Sequence, residues 1–95
     1  MGSRQIYTSP LLARKVKKLK KQEKTVLDDA VLDIVGGPSI GEEKVGDLAG
    51  VRVYKFKINK QLILLSYTYD EIEINLLTFG SHENFYRDLK NYKKA

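Results

Sequence analysis

Val51-Arg52-Val53-Tyr54-Lys55-Phe56-Lys57-Ile58, then Asn59-Lys60, then Leu62-Ile63-Leu64-Leu65-Ser66-Tyr67-Thr68-Tyr69 is the stretch that decides the fold. In the first run Tyr54, Phe56 and Ile58 share one face of a strand, and Lys55 and Lys57 share the other. Arg52 falls on the parity opposite to the two lysines, near the start of the run. The second run reads as a buried central strand. Asp70-Glu71 marks another turn, and Ile72 to Phe79 a third strand with Ile72, Ile74 and Leu76 on one face. Turns this short join antiparallel neighbours, so a three-stranded meander is predicted.

Upstream the period changes. Arg4 to Tyr7 fits a short edge strand, and Ser9-Pro10 supplies a hydroxyl N-cap followed by proline at the first helical position. Leu12, Val16 and Leu19 make one apolar stripe on an otherwise basic helix, with a break expected near Lys21-Gln22. Leu27, Ala30, Val31 and Ile34 make a second stripe, which Gly36-Gly37-Pro38 terminates. Ser39 to Gly50 reads as a loop. Downstream, a helix is predicted from about His82 to Tyr92, with Ser81 as its N-cap and Phe85, Leu89 and Tyr92 as its apolar stripe. The expected fold is α+β, one domain over residues 1–95. An N-terminal α-hairpin packs on one face of a small twisted antiparallel sheet with a short C-terminal helix, leaving the other face concave and basic.

Composition narrows the function classes. No apolar run reaches the roughly 20 residues a membrane helix needs. The N-terminus lacks a signal-like apolar region, so a cytoplasmic protein without membrane association is expected. The absence of cysteine rules out disulfides and thiolate metal sites, and a single histidine argues against zinc, so neither metal nor cofactor is expected. Seventeen Lys and Arg against 12 Asp and Glu give a net charge of +5, which favours a polyanionic or acidic partner. Lysines crowd residues 15–24 and the C-terminus, whereas acidic residues gather in Asp28, Asp29, Asp33 and the 42–47 and 70–73 segments. No phosphate-binding loop, nucleophile elbow, HExxH or GxGxxG is present.

The chemistry-bearing candidates are few. Phe85, Leu89 and Tyr92 in the core would turn His82, Tyr86 and Lys90 onto another helix face. A histidine in the first turn of a helix tends toward the neutral form, because the helix dipole disfavours imidazolium. Neutral imidazole can take a proton from a ribose 2′-OH and return one to the leaving 5′ oxygen. Lys55 and Lys57 would balance charge on the phosphorane, with Arg52 and Lys90 as further phosphate contacts. Tyr86 would hydrogen-bond the phosphate or stack on a base. The same residues also suit a plain nucleic-acid-binding surface. Lys55 and Lys57 equally suit a solvated sheet face guarded against edge pairing.

Leu48-Ala49-Gly50-Val51-Arg52-Val53-Tyr54-Lys55-Phe56-Lys57 resembles the L-x-G-x-x-x-Y-[RK]-x-[RK] stretch of the RelE/ParE toxin superfamily of bacterial toxin–antitoxin systems. Leu64-Leu65-Ser66-Tyr67 and Gly80-Ser81-His82 resemble its central-strand and C-terminal signatures. The resemblance implies a RelE-like fold and a ribosome-dependent, metal-independent mRNA endoribonuclease. His82 would then transfer protons, Tyr86 would be its aromatic companion, and Lys55 and Lys57 the paired basic positions. It also implies an acidic antitoxin partner, with the ribosome and mRNA as targets. RelE-like chains commonly carry an arginine in the central strand, where this chain has Ile63-Leu64-Leu65. Two alternatives stay open: a ParE-like poison of DNA gyrase, and a degenerate toxin that only binds its antitoxin.

Overall fold

The alternation around Tyr54 is realised as the middle of a five-stranded sheet. The structure, a computed structural model, describes residues 4–81 and Phe85. Its elements are β1 (Gln5–Thr8), α1 (Pro10–Lys17), α2 (Lys21–Gly36), β2 (Glu42–Glu43), β3 (Arg52–Ile58), β4 (Gln61–Tyr69) and β5 (Glu73–Ser81). The sheet order is β1-β5-β4-β3-β2. The three meander strands pair antiparallel as predicted, and Asn59 and Lys60 turn β3 into β4 with positive φ at both positions. That is the conformation a two-residue hairpin of matching twist requires.

The expected edge strand and one unexpected strand extend the meander. β1 pairs with β5 in parallel, so the sheet is mixed, and β2 adds a short antiparallel edge to β3 from within the predicted loop. The helices follow their caps. Ser9 Oγ accepts the Leu12 N–H at 3.0 Å, with Pro10 in the first turn of α1. The break falls at residues 18–20, slightly earlier than expected, because the Glu23 carboxylate accepts the Lys20 N–H at 2.8 Å and so starts α2 at Lys21. Gly37 ends α2 by donating its N–H to Asp33 and Ile34.

Apolar side chains of the helices and one sheet face form the main core. Leu12, Leu27 and Ile34 pack against Ile58, Ile63, Leu65, Tyr67, Ile74, Leu76 and Phe79. The other sheet face is only partly open, which corrects the expected basic surface. Leu48, Val51, Val53, Leu64, Leu77 and Phe85 form a second buried cluster there. The continuous apolar run in β4 is the reason, since alternate residues feed both clusters. Ile72 is also displaced from its predicted place: it is 69% exposed in the turn before β5. The Asp70 carboxylate explains this by accepting the backbone N–H groups of both Ile72 and Glu73. β5 continues through Gly80 and Ser81, so Ser81 belongs to the strand. Phe85 is fully buried, as its place in the predicted stripe implied. The rest of the predicted C-terminal helix, with His82, Tyr86, Leu89, Lys90 and Tyr92, lies outside the described residues.

Candidate functional site

Strand parity brings Lys55 and Lys57 together. Both are exposed, on the face of β3 opposite Tyr54 and Phe56. They pair with Leu64 and Leu62 of β4, and Leu64 pairs in turn with Gly80 of β5. Lys55, Leu64 and Gly80 therefore occupy one row across the sheet, about 9.5 Å from end to end at ordinary strand spacing. Val53 shares this face but is covered by the cluster around Phe85. The two lysines stand where that cover stops, beside Leu62, which is 40% exposed. β5 ends at Ser81, and His82 is the next residue in the chain. His82, Tyr86 and Lys90 themselves lie outside the described residues.

Arg52 is not brought to this pair. It lies on the helix-facing side of β3, where its Nη1 donates to Gly41 O at 2.7 Å and Ser39 O at 3.1 Å. Its Nη2 meets the Glu43 carboxylate at 3.1 Å, and the guanidinium stands 5.6 Å from the Tyr69 ring centroid. These partners tie residues 39–43 to the sheet. Tyr67 completes the tie: its hydroxyl donates to Pro38 O and accepts the Gly41 N–H at 2.9 Å. Burial pushes the Tyr67 phenol above its ordinary pKa, against the opposing pull of the Gly41 N–H and Arg52. The Tyr54 hydroxyl joins β3 to α2 by donating to Asp33 Oδ2 at 2.8 Å, and that carboxylate raises its pKa as well.

Sequence reasoning missed Lys15. Its Nζ donates to Phe79 O at 2.8 Å, at the end of β5 nearest Gly80. Nothing in its spacing separates it from the neighbouring lysines, so only the fold could single it out. An apolar groove of about 520 Å³ lies elsewhere, between β1 and the helices, lined by Ile6, Leu12, Val16, Leu27, Val31 and Leu76.

The two helices pack on one face of the five-stranded sheet, and Lys55 and Lys57 stand on the other. The family described as ParE-like toxin of type II bacterial toxin–antitoxin systems matches residues 6–90. The chain belongs to this toxin family.

Solved structures agree on the toxin's fold. The YoeB dimer from Staphylococcus aureus has 21% identity and a TM-score of 0.66, over 85% of this chain and 99% of that one. The intact Escherichia coli RelBE toxin–antitoxin complex gives 15% identity and a TM-score of 0.65, over 82% and 95% of the respective chains. Escherichia coli YafQ gives 15% identity and a TM-score of 0.64, over 87% and 98%. No curated protein matches the toxin in sequence. No helix among the described residues is long and apolar enough to cross a membrane.

Proposed function

We propose that the toxin is an endoribonuclease that cuts ribosome-bound mRNA at the face carrying Lys55 and Lys57. The observation that carries this reading is their exposure side by side, with Lys55 in a cross-strand row with Gly80, two residues before the only histidine in the sequence. His82 takes the proton of a ribose 2′-OH. The 2′ oxygen attacks the adjacent phosphorus, the bond to the 5′ oxygen breaks, and His82 returns a proton to that oxygen. The products are a 2′,3′-cyclic phosphate and a 5′-OH. Lys55 and Lys57 balance the extra charge on the phosphorane, Tyr86 orients the substrate or stacks on a base, and Lys90 adds a phosphate contact. In this reading Arg52 holds residues 39–43 rather than the substrate. The cations come from β3, because the corresponding part of β4 is apolar, with Leu64 fully buried.

An acidic antitoxin is the proposed protein partner. A net charge of +5 and the apolar groove beside basic α1 support it, as does the fold shared with the toxin of the RelBE complex. The matched family's ParE-like description favours one second reading, a gyrase poison. Induction of the toxin alone in cells, with mapping of mRNA 5′ ends, separates the two. In-frame breaks in translated messages, lost in His82→Ala, support the nuclease. Growth arrest with intact messages and a DNA-damage response supports gyrase poisoning.

A further inference from the structure

Between Val51 and Tyr69 the chain carries Arg52, Lys55, Lys57 and Lys60 and no aspartate or glutamate. The two arms of this hairpin are anchored by Ile58 and Ile63, both buried. Beyond them Asn59, Lys60, Gln61 and Leu62 are exposed, so the turn stands clear of the core. Asn59 and Lys60 have φ of 51° and 71°. Positive φ at both central positions is the primed turn of a two-residue hairpin, whose second position is ordinarily glycine. Asparagine tolerates the left-handed region, whereas a lysine there is strained. Elsewhere among the described residues positive φ falls to glycine, at Gly46 and Gly50. Lys60 therefore keeps a charge where the backbone favours glycine. Among the described residues Lys55, Lys57 and Lys60 have no hydrogen-bond or ion-pair partner. Lys55 and Lys57 are about 6.8 Å apart along β3, and Lys60 follows at the turn. Cations strung along one element in this way follow a nucleic-acid backbone.

We propose that Lys60 is an RNA-binding residue, its ammonium meeting a phosphate next to the one held by Lys55 and Lys57, and that its strained backbone is kept for this contact. The inference rests on the nuclease reading of the lysine face. A contact away from the bond being cut holds substrate and transition state alike, so its loss belongs in KM.

The test compares the full chain with three variants, on ribosomes carrying a defined mRNA. Lys60→Gly removes charge and strain together, Lys60→Gln removes the charge alone, and Lys60→Arg keeps both. Lys60→Gly should raise the folding equilibrium constant by about threefold in urea unfolding. It should nevertheless weaken binding by about fourfold near 0.15 M salt and raise KM by the same factor. The slope of log affinity against log salt should become shallower by about 0.7, the share of one phosphate contact. Lys60→Gln should lose the same affinity without the gain in stability, and Lys60→Arg should match the wild type in both. Unchanged affinity and salt slope in Lys60→Gly would overturn the proposal, and a stability no higher than wild type would overturn its claim about the backbone. Binding without cleavage by the wild type would overturn the nuclease reading instead, while the salt slope still judges Lys60. A wild type that does not bind these ribosomes would overturn both.

Discussion

At Gly41 the backbone is extended, with φ −74° and ψ 154°, so any residue fits its dihedrals. A Cβ there would nevertheless stand 2.6 Å from the Tyr67 hydroxyl oxygen and 2.9 Å from its ring. Tyr67 is fully buried and cannot swing aside without losing Pro38 and the Gly41 N–H. Gly41→Ala should therefore cost about 2–3 kcal/mol, from overpacking plus broken hydrogen bonds, read as a lower urea midpoint with unchanged slope. An unchanged midpoint would mean that the loop gives way freely. At this scale the sequence was legible where alternation speaks, as with Lys55 and Lys57. The parity of Arg52 was also legible, but not its use, because the carbonyls it binds come from residues 39–41, which the pattern treats as loop.

Within β5 the register shifts between Ser66 and Tyr67 of β4, leaving Leu77 as an extra residue turned into the second cluster. Ser66 Oγ bridges the irregularity, donating to Thr78 O at 3.1 Å and accepting the Thr78 N–H at 3.2 Å. The neighbouring Thr78 Oγ1 is buried without a hydrogen-bond partner among the described residues. Replacing a buried unpaired hydroxyl by a methyl of the same shape removes a desolvation cost, so Thr78→Val should stabilise the protein by about 1 kcal/mol. A loss of stability in thermal unfolding would reveal a partner for that hydroxyl. Helices and meander strands could be read in the sequence because caps, turns and periods are local. The bulge, the parallel docking of β1 and the two-residue β2 could not, since each depends on contacts between distant segments. The second cluster was hidden for a related reason: an unbroken run such as Ile63-Leu64-Leu65 does not say that both faces are covered.

Across the whole molecule, two phenols link stability to alkaline pH. Tyr67 has a raised pKa through burial and Tyr54 through Asp33. A raised folded pKa means that the folded state retains protons the unfolded chain releases. Their contribution is complete below about pH 10, the unfolded value, and is lost as pH rises through the folded values. Stability should fall there by up to about 1.4 kcal/mol per pH unit for the buried Tyr67, and by less for Tyr54, whose bond to Asp33 lies at the solvent-screened surface. Tyr67→Phe should start less stable at pH 8 yet decline less steeply in urea titrations up to pH 11, and equal slopes would remove Tyr67 from this linkage. The proposed function makes a separate claim, that the lysine face serves RNA while the fold rests on the two clusters. Lys55 and Lys57 are exposed, so replacing both with alanine should leave stability within about 0.5 kcal/mol. The most direct measurement places purified wild type and this double variant on ribosomes carrying a defined mRNA and analyses the fragment ends. Wild type should leave 2′,3′-cyclic phosphate and 5′-OH ends, and the double variant should cut at least about a hundredfold more slowly. Uncut mRNA with wild type, or undiminished cutting by the double variant, would contradict the assignment of this face as the nuclease site.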